Sequence, residues 1–142
     1  MNRRDLLAST GLIGAAGALG AASAALGNGH AHQHKSSHSV CDAIADCIEK
    51  AEICTNHCLD MIGEHQGLKD CIKSASDCSK ICSTLLSIVN SGSPLIPSLA
   101  AVCIEACTIC AETCAHHADM HPTCKACQEA CEACIETCQE LV

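Results

Sequence analysis

The stretch CKACQEACEACIETC, residues 124–138, decides the fold. Its five cysteines, Cys124, Cys127, Cys131, Cys134 and Cys138, are spaced three, four, three and four residues apart. An α-helix turns once in about 3.6 residues, so this rhythm stacks all five on one stripe, the inward a/d seam of a bundle helix. Glu129 and Glu136 fall between them, on the solvated side.

The same seam recurs upstream. Cys103, Cys107, Cys110 and Cys114 repeat it in a third helix; Cys71, Cys78 and Cys82, with Ala75, mark a second; Cys47, Cys54 and Cys58, with Ile44 and Ala51, mark a first. Of the 16 cysteines only Cys41 falls off the seam. The 142 residues include no Phe, Tyr or Trp, so the side chains that usually dominate core burial are missing and cysteine stands in their places. Thiols can act as small buried hydrophobes, yet a core of such small groups fills thinly and stabilises weakly. Packing alone accounts poorly for so many.

Formal net charge is −8, which speaks against nucleic acid and against an anionic membrane as partners. A solvated outer helix face carrying Glu49, Asp60, Asp77, Glu112, Glu129 and Glu136 is its ordinary explanation. The opening MNRRDLL sets Arg3 and Arg4 ahead of an apolar, Gly- and Ala-rich run reaching Leu26, with Ala22-Ser23-Ala24 as a small-residue cleavage site. Residues 1–26 therefore read as a twin-arginine export signal; a general secretory signal or an uncleaved anchor is the alternative. The expectation is a mature chain exported to the periplasm, or otherwise outside the cytoplasmic membrane, and not inserted in it. Residues 27–38, with His30, His32, His34 and His38, read as a His-rich flexible segment of the kind that binds metal opportunistically.

Residues 39–142 then make one small domain. Ser39 followed by Asp42 resembles a capping box opening a helix that runs to about Met61 and stops at Gly63. A second helix spans about 67 to 90, and Asn90-Ser91-Gly92-Ser93-Pro94 is a turn signal. Pro94 and Pro97 are tolerable in the first turn of a third helix, which ends near Met120, and Pro122 opens the fourth. Short loops make consecutive helices antiparallel neighbours, so the fold class expected is all-α: an antiparallel up-down-up-down four-helix bundle with a cysteine-lined core.

Its two ends differ. One gathers Val40, Leu85, Val89, Ile96 and Leu141 and is sealed with hydrocarbon. The other gathers Met61, His65, Leu68, His117 and His121, with His57, His116 and Met120 close by, a mouth of imidazole and thioether. Singly, such residues are ordinary surface or filler. Gathered at one end, His57, Met61, His65, His117, Met120 and His121 become candidate soft-metal ligands beside the cysteines.

Residues four apart on a helix lie about 5–6 Å apart at Cβ, so the two thiolates of a C-x-x-x-C pair can converge on one ion. Six such pairs occur: Cys54/Cys58, Cys78/Cys82, Cys103/Cys107, Cys110/Cys114, Cys127/Cys131 and Cys134/Cys138. Cys47, Cys71 and Cys124 remain to bridge between helices. Two soft ligands in near-linear array suit Cu(I), and monovalent ions on thiolates nearly cancel the buried charge, reaching on the order of one metal per cysteine. Zinc prefers about four ligands in a tetrahedron, which regular seams do not obviously supply. The C-x-x-C spacing of Fe–S and thioredoxin-type sites also occurs, but here it falls out of the helical seam. A disulfide-stapled secreted helical scaffold and a zinc- or cadmium-binding detoxification protein of metallothionein type stay open as alternatives. No serine or carboxylate constellation suggests turnover, so a non-enzymatic metal store is expected.

On these residues the chain resembles the bacterial copper storage proteins of the exported, twin-arginine type, within the cysteine-rich four-helix-bundle copper-binding family. The repeated C-x-x-x-C pairs, the missing aromatics and the His/Met mouth carry the likeness across the leader, the His-rich segment and all four helices. The resemblance implies copper storage and buffering: many Cu(I) ions held by thiolate pairs, loaded through the His/Met end of a homotetramer, and passed to a copper-accepting protein or small copper chelator. By the same resemblance all sixteen cysteines, Cys41 included, are candidate ligands.

Overall fold

The computed structural model describes residues 33–65 and 67–142, with side chains from Val40 onward. The segment read as an export signal and His30 and His32 lie outside the described residues, as do the side chains of His34 and His38. Four helices follow one another: α1 (Gln33–Met61), α2 (Leu68–Asn90), α3 (Ile96–Ala115) and α4 (Pro122–Cys138), with a 3-10 turn over Gln139–Leu141. α1 packs on α2 and α4, and α3 packs on α2 and α4. The helices thus form a ring in chain order, the up-down-up-down bundle that short loops demand.

Two boundaries differ from the sequence reading. α1 starts at Gln33, so it runs through Ser39 and Asp42, and residues 33–38, read as flexible, form its first turns. Once a helix is nucleated, each further residue adds a bond at little cost, and no Gly or Pro between 33 and 39 stops it. α3 ends at Ala115, short of Met120, and His116 to Met120 form turns. Pro122 supplies the reason: a residue before proline is pushed out of the α region, and His121 is extended at φ −127° and ψ 100°. The chain must therefore leave helix before it can start α4, and it does so through the His117 N–H to Cys114 carbonyl (2.9 Å) and His121 N–H to His117 carbonyl (2.9 Å) bonds.

The core is the inner stripe of each helix. Val40, Ile44 and Leu85 are buried at one end, with Val89 and Leu141 packed against them, as the hydrocarbon-sealed end requires. Glu49, Asp60, Asp77, Glu112, Glu129 and Glu136 are all exposed. α3 is long and apolar enough by composition to cross a membrane, with mean hydropathy 1.5. Its inner stripe of Cys103, Cys107, Cys110 and Cys114 is wholly buried, while Val102 and Ile109 remain exposed on its outer side.

Candidate metal centre

Fifteen of the sixteen cysteines are buried, and all sixteen are free thiols. Each seam faces the bundle axis, so four stripes of thiol meet in one column. Neighbouring sulfurs lie from 3.4 Å apart (Cys82–Cys103) to 3.9 Å (Cys47–Cys107), far beyond the ~2.05 Å of a disulfide bond. Taking about 2.3 Å for a metal–thiolate bond, as in zinc sites, two sulfurs lie ~4.6 Å apart across a linear centre and ~4.0 Å apart around a trigonal one. These pairs are within about 0.1–0.6 Å of the trigonal spacing, whereas a linear ion would need them to part by about 0.7 Å or more.

Two hubs organise it. Cys47 lies 3.7 Å from Cys78, 3.7 Å from Cys131 and 3.9 Å from Cys107, so sulfurs of all four helices meet there. Just beyond, towards the sealed end, Cys82, Cys103, Cys107 and Cys134 lie mutually within 4.8 Å. Towards the other end, Cys54 is 3.7 Å from Cys124, 3.9 Å from Cys114 and 3.9 Å from Cys58. Cys71 lies beside this second hub and donates to the Thr113 carbonyl at 3.5 Å. Cys110 and Cys127, 3.7 Å apart, lie between the two.

The helical spacing foresaw the contacts along one helix: Cys54–Cys58 and Cys78–Cys82 at 3.9 Å, Cys134–Cys138 at 3.8 Å. It did not foresee that the closest approach, Cys82 to Cys103, joins two helices. Nor do the seams withhold tetrahedral sets, as the argument against zinc supposed. Cys47, Cys78, Cys82 and Cys107 form a four-sulfur set drawn from three helices, because antiparallel neighbours bring their seams to equal heights. What separates the metals is charge. Among the described residues no Lys or Arg is buried with the column, so a monovalent ion replacing each thiol proton leaves it neutral, whereas a divalent ion in four thiolates leaves two negative charges in a low-dielectric interior.

Cys41 stands apart, half-buried, with its thiol on Asn90 Oδ1 at 3.6 Å. At the far end of the bundle His121 is the centre of an imidazole cluster. Its Nδ1 is 3.0 Å from His57 Nε2, and the rings of His65 and His117 lie 5.4 and 6.5 Å from its own. His121 is buried to 5% exposure, and its Nε2 has no hydrogen-bond partner. An orphaned buried nitrogen is costly unless something occupies its lone pair or takes its proton. Met61 is half-buried against the core, but Met120 is 63% exposed and contributes least to the mouth. His121 caps α4 one turn from Cys124, and His57 adjoins Cys58, so the cluster sits on top of the thiol column.

Burial pushes the Cys58 thiol from 9.0 up to about 11, and its neighbour Cys124 adds to the effect. Deeper, Cys103 is drawn down to about 5, first by its hydrogen bond with Cys107 and also by Cys138 and Cys82, against the opposing pull of Cys134 and burial. Cys82 moves the other way, its bond with Cys103 the chief cause. The two sulfurs of that 3.4 Å pair share a hydrogen bond between α2 and α3.

Residues 31–142 match the family described as copper storage protein. The cysteine-rich Bacillus subtilis protein YhjQ is 30% identical over 90 residues, 63% of this chain and 81% of its own length. Among solved structures, the Cu(I)-bound copper storage protein BsCsp3 of Bacillus subtilis superposes with a TM-score of 0.70 at 28% identity, covering 75% of this chain and 97% of that one. A cytosolic copper storage protein of Streptomyces lividans, loaded with five coppers, gives 0.70 at 26%, covering 75% and 92%. The last comparison corrects the expected location: a bundle of this kind is described as cytosolic, and export to the periplasm is withdrawn. The physical ground for export was protection of the thiols by prior folding, and a buried thiol column is equally at home in a reducing compartment.

Proposed function

The chain belongs to the copper storage protein family, and from that membership we propose that it stores many Cu(I) ions per chain in its thiol column, taking them up through the His/Met end. The observation that carries this reading is the burial of fifteen free thiols in one column, with neighbouring sulfurs close to the spacing of a three-coordinate soft ion. Bound ions replace thiol protons one for one, so the column fills without accumulating buried charge. His57, Met61, His65, His117 and His121, with Met120 at the rim, are the residues an arriving ion would meet, and the orphaned Nε2 of His121 supports an imidazole–copper contact there. Beyond them every seam cysteine is a candidate ligand. Cys41, outside the column, would bind least.

Nothing in this reading asks for turnover, so the protein is a reservoir and not an enzyme. Its copper would pass to an accepting protein or small chelator. Assembly into a homotetramer is part of the proposal; a groove of about 200 Å³ between α2 and α3, lined by Ile81, Val102 and Ile109 with Asp77 and Glu105, is a surface a second copy would cover, and light scattering of the reduced protein tests it.

Anaerobic titration of the reduced protein with Cu(I) against a chromophoric chelator, with thiols counted before and after, decides the storage reading. Tight uptake of about one ion per buried cysteine, with the thiols becoming unreactive, is expected. Uptake of one or two ions would instead mark a chaperone. Zn(II) displacing Cu(I) under competition would mark a metallothionein-type role.

A further inference from the structure

We infer that Cys110 and Cys127 are the transit residues of the column, the pair through which copper bound near the sealed end must pass. The inference rests on uptake at the His/Met end. Between the Cys47 hub and the Cys54 hub, α1 and α2 place Ala51 and Ala75, both wholly buried, on their seams. Cys47 and Cys54 are seven residues apart, about 10 Å along a helix, and a methyl group offers an ion nothing to hold. At this level only α3 and α4 carry thiols, Cys110 and Cys127, 3.7 Å apart.

These two reach both ways. Cys127 lies within 4.8 Å of Cys54 and Cys114, and Cys110 lies within 4.8 Å of Cys78 and Cys131. Cys110 also lies one turn from Cys114 on α3, and Cys127 one turn from Cys131 on α4. Every thiol-to-thiol step across this level, among the described residues, begins or ends on one of the pair. An ion advances by associative exchange: the incoming thiol gives up its proton and forms a Cu–S bond, the outgoing thiolate releases the ion and takes up a proton, and copper stays Cu(I) throughout. Such a step needs the two sulfurs within reach of one ion. Without Cys110 and Cys127 it would require an unligated ion in a dry core.

Either residue alone leaves a route, through Cys127 to Cys131 or through Cys114 to Cys110. The inference therefore predicts synergy. The reduced protein is mixed with a Cu(I)–chelator complex, quenched at intervals with an alkylating reagent, and its protected cysteines located by mass spectrometry. In the wild type, Cys54, Cys58 and Cys124 should be protected first, then Cys47, Cys82 and Cys103. C110A and C127A singly should keep that order among the remaining thiols, each losing the capacity of its own sulfur. The double variant should protect the mouth-side thiols at the wild-type rate and the deep ones at least about tenfold more slowly. Adding A51C and A75C to it rebuilds a thiol bridge on the other two helices and should restore deep loading.

Deep thiols protected at the wild-type rate in the double variant would overturn the transit role while leaving end-on uptake standing. Slow deep loading that A51C and A75C do not relieve would assign the defect to packing and overturn it as well. Deep thiols protected before mouth-side ones in the wild type would refute uptake at the His/Met end itself, and the transit role with it.

Discussion

Cys58 sits where the imidazole cluster meets the thiol column, and its thiol is pushed up to about 11 chiefly by burial. Raised above its ordinary 9.0, it makes the copper-free fold prefer the protonated thiol. That contribution to stability is fully present below pH 9 and is lost as pH climbs through 11. Thermal melts of the reduced, copper-free protein should therefore be level up to about pH 8 and fall between 9 and 11, and C58A should flatten the fall. The same proton governs copper. At neutral pH an ion taking Cys58 as ligand must displace a full proton, so its affinity should drop about tenfold per unit of acidification. Cys103 is drawn the other way, chiefly by its hydrogen bond with Cys107, so copper held there should be less sensitive to acid. Chelator competition at pH 8, 7 and 6 should thus strip the mouth-side ions first; equal loss from both regions would contradict these assignments. His121 acts on rate. Removing its imidazole in H121A takes away the buried nitrogen nearest the column, and initial Cu(I) uptake should slow several-fold with final capacity unchanged. A lowered capacity would make His121 a storage ligand.

The helices owe their limits to a few residues. α2 is closed by Gly92, whose φ of 65° lies where a side chain is strained, and whose N–H reaches the Val89 carbonyl at 3.1 Å while Ser93 N–H reaches Ile88 at 3.1 Å. This is a Schellman-type ending. G92A adds no clash, since nothing lies within 4 Å of its Cβ, so its cost isolates the backbone: about 1–2 kcal/mol, read as a lower melting temperature with copper capacity intact. This ending was legible in Asn90-Ser91-Gly92-Ser93-Pro94, as the four seams were legible in cysteine spacing, because both are local properties of the chain. The start of α1 was not, since nothing local stops a helix from growing backward past Ser39. The end of α3 was hidden too, although Pro122 held the clue: it constrains His121, and the turns from His116 follow. Least legible were the contacts across helices. Cys82 and Cys103, 3.4 Å apart, meet only because α2 and α3 pack antiparallel at one particular height, and the Ala51–Ala75 level acquires meaning only beside Cys110 and Cys127.

Taken whole, the molecule has given its core to thiols. Among the described residues only Ile44, Leu68 and Leu85 of the wholly buried side chains are larger than cysteine, and small groups remove little apolar surface from water. A bundle of this length with so thin a core should be marginal when empty, and its helices stand to be tied together by what they hold, since the Cys47 hub joins all four. A ligand that binds only the folded state stabilises by about 2.7 kcal/mol at a hundredfold excess over its Kd, which for a domain near 100 residues raises the melting temperature by roughly 10–20 °C. Many ions bound across helices should raise it further. The reduced protein melted at increasing Cu(I) equivalents should therefore gain stability stepwise until the thiols are exhausted, and a strong Cu(I) chelator should return it to the starting value. Copper that binds without moving the melt would have to lie on the surface, since an ion bridging two or more helices cannot leave the folded state and the unfolded chain equally satisfied.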